Sequence, residues 1–475
     1  MSTSEKTPPP LPLLPVRTIP GSYGLPVWGP FVDRLNYFWF EGAETFFRKR
    51  MEKNKSSVFR TNIPPTFPFF TSINPNIIAV LDVKSFAHLF DMELVEKKDV
   101  LAGDYLPSLS LTGDIRTCIY LDTTETRHAQ LKNYILDILK RSRSIWVPTL
   151  TTNLDTMWDS IDSDISKSKS GEAFDVPLKK FLFSFLTRTL TGADSSKSPE
   201  LSEKGYTWLE RWLLIQLVPT IKLGLCQPFE EIFLHSFVYP SFLVNGGYKK
   251  VAEFIQKEGS QVLNRGVTEF GLSEEDALHN LMFVVGFNAF GGLLAFFPTL
   301  LNILGNDKVL QDKLRKEVRD TCKADSLSFG LVMQLDLVNS VVYEALRLNP
   351  PVPLQFGRAR KDFTLSSHDS AFEVKKGEVL CGYQPLVMRD GKVFDDPEKF
   401  VADRFTKGNE LLSYVFWSNG SQTESASANN KQCPAKDIVP ITAALFVAHL
   451  FQRYDSFTVD SSGSKITSLE KATHV

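Results

Sequence analysis

At 475 residues, with 43% hydrophobic and 23% charged side chains, the chain has the make-up of a globular protein with a substantial core, in one large or several ordinary domains. Its formal net charge of −2 supplies no basic excess for tracking phosphates, so composition gives no case for a nucleic-acid partner. The 37 phenylalanines suit a large apolar interior and a greasy ligand pocket equally well.

In chain order, residues 1–25 are rich in proline and hold neither a continuous apolar signal region nor an Arg-rich amphipathic stretch. They read as an extended surface arm ahead of one catalytic domain, 26–475, and the prolines forbid an anchor helix there. Residues 56–82 alternate as strands do, and helical periodicity dominates from about 126 to 350. Within it, Leu281–Leu304 is apolar and long enough to span a bilayer. Asn288, the Gly291–Gly292 pair and Pro298 instead favour a fully buried central helix. "AFEVKKGEVLCGYQPLVM" reads as two strands joined by a Lys-Lys-Gly turn. A polar cysteine loop, a helix through about Phe451 and a final strand, "YDSFTVD", close the chain. The pattern is mainly α with small β-sheets at one side.

Cysteines stand at 118, 226, 322, 381 and 433: an odd number, widely spaced, without a CxxC pair. That speaks against a disulfide framework or a zinc site and for a reducing compartment. Cys433 lies between Lys431 and Lys436, just before "IVPITAALFVAHLF", and Pro434 suits a first helical turn. Positive charge and a helix N-terminus favour thiolate, which serves a nucleophile, a redox centre or a metal ligand. Upstream, "VVYEALRLNPPVPLQF" puts Glu344 and Arg347 at i and i+3 on an amphipathic face, with Arg404 of "VADRF" as a third member. A buried pair of this kind needs further hydrogen bonds.

An ExxR helix, an R-F segment and a cysteine loop opening a helix, in that order, resemble the haem-thiolate cytochromes P450 over most of the chain. The resemblance implies that family's fold, with haem b buried between the central helix and the cysteine loop. It implies Cys433 as axial metal ligand, Lys431, His128 and Lys132 as further cofactor-binding residues, and Glu344, Arg347 and Arg404 as a structural brace. The chain departs from the usual Phe-x-x-Gly-x-Arg-x-Cys-x-Gly: Asn429, Lys431 and Ala435 stand at the first glycine, the arginine and the second glycine. Nor does "VVGFNAFGGLLAFF", Val284 to Phe297, contain any Asp, Glu, Ser or Thr to relay protons for O2 activation.

A substrate that already contains an O–O bond needs no such relay. The stretches "VEKKDVLAGDY", "GFNAFGG", "NPPVPLQFGRARKDF", "LCGYQPLVMRD" and "NKQCPAKD" resemble the plant fatty-acid hydroperoxide branch of the family. Its members are hydroperoxide lyases, divinyl ether synthases and allene oxide synthases. The resemblance implies O–O homolysis of 13-hydroperoxides of linolenic or linoleic acid, without a reductase, in oxylipin biosynthesis. Asn288 would contact the peroxide, and Leu101 stands where allene oxide synthases tend to carry phenylalanine, which leans toward the 13-hydroperoxide lyases. Phe287, Phe290, Val352 and Leu354 are pocket-wall candidates, with core packing as their equal alternative. A divinyl ether synthase is the runner-up, then an allene oxide synthase, then an O2-dependent monooxygenase. Resemblance suggests the plastid or its envelope, with peripheral membrane association; acidic Glu5 argues mildly against a transit peptide, which leaves the cytoplasm as the alternative.

Overall fold

The structure, a computed structural model, describes residues 14–63, 73–167, 171–222, 224, 229–323 and 326–472. Part of the N-terminal arm, part of the first strand-like stretch and Cys226 lie outside them. The described strands are β1 (Val16–Arg17), β2 (Val58–Asn62), β3 (Asn76–Val80), β4 (Val95–Glu96), β5 (Glu172–Ala173), β6 (Leu354–Ala359), β7 (Phe363–Ser366), β8 (Ala371–Val374), β9 (Val379–Tyr383), β10 (Tyr454–Val459) and β11 (Lys465–Lys471). They form three small sheets, ordered β1-β8-β7, β10-β11-β5 and β2-β3-β9-β6-β4.

The sheet order corrects one sequence expectation. β8 and β9 flank the Lys-Lys-Gly turn but are not hairpin partners. β8 pairs with β7, whereas β9 pairs with β6 and runs parallel to β3. All five β9 residues are buried, as in a strand covered on both faces, and its edges are taken by β3 and β6. The terminal strand β10 also has an antiparallel partner, β11, hidden by its polar sequence "KITSLEK".

Helices supply the main core. Its largest cluster joins Trp158, Trp212, Phe181, Phe297 and Phe446, and runs on through the Ile438–Arg453 helix, which is buried over most of its length. The Glu274–Gly305 helix crosses this cluster. It is long and apolar enough to cross a membrane, but its Phe290, Phe296, Phe297, Leu300 and Leu304 are fully buried in the protein core. It is not buried all round, contrary to the sequence expectation: Asn288 and Ala295 are exposed. Between Val284 and Phe290 it widens into a π-helical stretch, a distortion frequent at functional sites. Gly286 there lets the Pro199–Leu217 helix approach, since a Cβ would stand 2.6 Å from Leu209 and 2.7 Å from Trp212.

Candidate active site

Glu344 and Arg347 stand one turn apart on the Asp336–Leu348 helix, and both are fully buried. Arg347 donates from Nε to Oε2 at 2.7 Å and from Nη2 to Oε1 at 2.8 Å. Arg404 adds Nε bonds to both carboxylate oxygens at 3.0 Å. Left there, two cations would face one anion in a dry interior. Backbone carbonyls take the remaining donors: Met388 and Pro397 accept from Arg347 at 2.8 Å, and Asp395 accepts from Arg404 at 2.6 Å. The Val401 N–H also donates to Glu344, at 3.0 Å. The triad thereby ties a helix to the irregular segment 388–404.

The cysteine loop begins with a tight reversal. Trp417 N donates to Gly420 O at 2.8 Å, with Ser418 in the left-handed region at φ 59°. Gly420 has no room for a side chain, because a Cβ would lie 2.7 Å from the Gln432 amide carbon. Cys433 N donates to Trp417 O at 3.2 Å, which fixes the cysteine beside this turn. The following helix starts at Ile438, so Pro434 occupies an intervening turn rather than the first helical turn. Burial pushes the Cys433 thiol up, while the Ala435 N–H and the Lys132 ammonium pull less strongly the other way. The expected thiolate preference is therefore not met by the bare chain. A free nucleophile would need a lowered pKa, whereas a metal ligand loses its proton to the metal itself.

Around this loop lie basic side chains, buried or half-buried, whose ammonium groups bond backbone carbonyls rather than carboxylates. Lys431 donates to the carbonyls of Cys118, Ile119 and Leu121 at 2.8–3.0 Å, turning away from the sulfur it was expected to influence. Lys132, one turn after His128 on the Thr126–Lys167 helix, donates to Gln432 O. His128 Nδ1 meets Ala428 O at 3.1 Å, while its buried Nε2 has no partner. Lys97, on the Phe356 carbonyl, joins them. Burial and repulsion from Lys431 depress Lys97 to about 7, and burial outweighs the nearby carboxylates in bringing Lys431 to about 8. Burial, with Lys431 and Lys132 adding to it, depresses His128 to about 4.

On the central helix, Asn288 is exposed in the π-helical stretch. Phe287 beside it is partly buried and stacks on Phe283 with ring centroids 4.5 Å apart. Phe290 is fully buried in the core and takes no part in the exposed face. Leu101 is partly buried, touching both the helical core and the cluster that includes β9. Leu354, at the start of β6, packs on that same cluster, whereas Val352 is 51% exposed.

A family model, cytochrome P450, matches residues 297–471, which include the brace and Cys433. Fatty acid hydroperoxide lyase, chloroplastic, of Solanum lycopersicum is 59% identical, covering 99% of each chain. This chain belongs to the cytochrome P450 family. Linolenate hydroperoxide lyase, chloroplastic, of Arabidopsis thaliana is 55% identical over 98% of this chain and 95% of its own. Allene oxide synthase, chloroplastic, of Linum usitatissimum is 42% identical over 97% of this chain and 87% of its own.

A cytochrome P450 carries a haem iron on a cysteine thiolate, and the residues present fit that group. Haem brings two carboxylates, and the buried Lys97 and Lys132 ammonium groups, each spending one donor on a backbone carbonyl with donors to spare, are suited to such anions, with half-buried Lys431 and buried His128 beside them. Lys97 escaped the sequence reading because "KK" looks like a solvated pair. Strand alternation after Val95 was the signal: Val95 and Lys97 point inward, and Lys98 is exposed.

Proposed function

We propose that this cytochrome P450 converts polyunsaturated fatty-acid 13-hydroperoxides, as a hydroperoxide lyase, to hemiacetals that fall apart into a short aldehyde and an ω-oxo acid. One observation carries the reading. Between Val284 and Phe297 the central helix has no acid or hydroxyl side chain, and the Asn288 amide stands exposed on it. O2 activation requires delivered protons, and this surface offers no carboxylic acid or alcohol to deliver them. A hydroperoxide and its hemiacetal are isomers, so the reaction needs no outside oxidant, reductant or nucleotide.

Haem b on Cys433 supplies the one-electron chemistry that splits the O–O bond, and thiolate donation favours that scission. The protein's part is placement. The Asn288 amide donates to the peroxide oxygens, which orients the hydroperoxide. Phe287 and Leu354 confine the substrate chain, and Val352 lies at the rim. Leu101 offers the substrate-derived carbon radical dispersion and shape but no aromatic face, so positive charge is not favoured there. Lys132 and Lys97 would hold the cofactor's carboxylates, while Lys431 and His128 would shape that cradle by tying the cysteine loop to the carbonyls of 118–121 and to the Thr126–Lys167 helix. Identities of 59% and 55% to chains named as lyases, against 42% to an allene oxide synthase, support the same product choice.

The relatives named chloroplastic support a plastid location. Exposed aromatic side chains at Trp28, Phe40, Phe229, Phe233 and Phe242 support peripheral contact with a lipid surface. The test is incubation of purified protein with linolenic acid 13-hydroperoxide, without NADPH, and trapping of products within seconds. Short aldehyde with ω-oxo acid is the expected outcome. Chiefly divinyl ether would replace the lyase reading.

A further inference from the structure

Leu101 sits in a short turn whose fastenings are unusually complete. Asp99 and Gly103 both take positive φ, 49° and 58°, and Ala102 bridges Tyr105. A loop shaped this tightly holds its side chains only if its ends are fixed. On the sheet side, β4 pairs with β6, Lys97 bonds the Phe356 carbonyl and Asp104 pairs with Arg358 of the same strand. Arg116 holds Asp99 at 2.8 Å.

The helix side has a different pair of fastenings. Tyr105 is buried, and its hydroxyl donates to Gln216 O at 3.1 Å, in the last turn of the Pro199–Leu217 helix. In return, Trp212 Nε1 of that helix donates to Leu111 O at 2.8 Å, in the segment that follows the turn. Gln216 Nε2 donates to Trp212 O at 3.1 Å, so both latch points belong to one hydrogen-bonded helix end. Trp212 also packs edge-on against Phe283, whose ring stacks on Phe287. The turn bearing Leu101 and the helix bearing Asn288 are thus both referenced to this helix.

We propose that Tyr105 is a positioning residue for product choice: its hydroxyl latches the Leu101 turn to the Pro199–Leu217 helix and so holds Leu101 in place. The inference rests on the hydroperoxide reading above. Without the bond, the turn keeps its ties to β6 but loses this tie to the helix. Leu101 then has more freedom to withdraw, and the fate of the radical becomes less selective, while O–O cleavage at Asn288 is little altered.

Tyr105→Phe removes the hydroxyl and keeps the ring. In the haem-loaded protein the thiolate-type spectrum should persist, and hydroperoxide consumption should fall less than about threefold. The ratio of the main product to all other products, trapped within seconds, should fall at least about fivefold. Trp212→Phe, which cuts the other latch bond, should move the ratio the same way. Adding Tyr105→Phe to Leu101→Phe should change the ratio much less than in the wild type, because the latch acts through Leu101. Loss of thermal stability alone, with ratios within about twofold of wild type in both latch variants, would overturn the proposal. A wild type that made chiefly divinyl ether would remove the lyase reading yet leave Tyr105 to be judged by the same ratio. No consumption of hydroperoxide by the wild type would overturn both.

Discussion

Asn288 is an amide on a helix whose neighbouring side chains are phenylalanines, glycines and aliphatics, so its removal tests a hydrogen bond with little packing change. Asn288→Ala is expected to keep the haem-thiolate spectrum and lose about 100- to 1000-fold in kcat, the ~2.7–4 kcal/mol of one well-placed donor. Single-turnover kinetics on the spectrally intact variant reads this directly. At Leu101 the expected change is in product, not rate. Leu101→Phe presents a ring whose quadrupole favours developing positive charge, so ketols derived from allene oxide should rise at the expense of aldehyde. Chromatography of products quenched within seconds measures the shift. Residues with a local signature were legible in the sequence: Glu344 and Arg347 are i and i+3, and their bond follows from helix geometry. Tyr105 was not legible, because the carbonyl it bonds lies 111 positions away.

At the scale of elements, the Glu344 triad shows why a buried ionic group fails when one member is lost. Arg404→Ala should leave Glu344 short of donors in the interior, at a cost of about 3–5 kcal/mol, seen as a lowered Tm and faster loss of haem. Asp122 fastens the basic cradle in the same manner, accepting from Arg360, the Thr124 N–H and hydroxyl, and the Lys97 N–H. Burial alone would push its carboxyl up, but these bonds together hold it at about 2. Folded Asp122 therefore binds its proton more weakly than the unfolded chain does, and it stabilises the fold above about pH 4. That contribution disappears as pH falls from about 4 through 2. Asp122→Asn should flatten the acid limb of the stability curve in that window, as urea unfolding at stepped pH would show. Element boundaries were legible where periodicity was long, as in the helix ending at Arg453. Pairing was not. A Lys-Lys-Gly turn carries the same local signal whether its strands join each other or, as β8 and β9 do, part into two sheets.

For the whole molecule, the family order of helix, brace and cysteine loop was legible because it is a sequence order, whereas the three sheets depend on distant pairings. The reaction class is testable at the same scale. Hydroperoxide consumption should proceed in buffer with the haem-loaded chain alone. A requirement for NADPH and a reductase would mean that the central helix had been misread. The pairing of β1 has a further consequence, for the order in which the protein can be made. β1 lies parallel to β8, with Val16 opposite Ala371, and Pro20 O accepts from Arg60 of the five-stranded sheet. A growing chain therefore exposes its first strand for most of synthesis, since its partner leaves the ribosome about 350 residues later. The arm can bond Arg60 early through Pro20, but the pairing that ties it to the second sheet forms only once β8 has emerged.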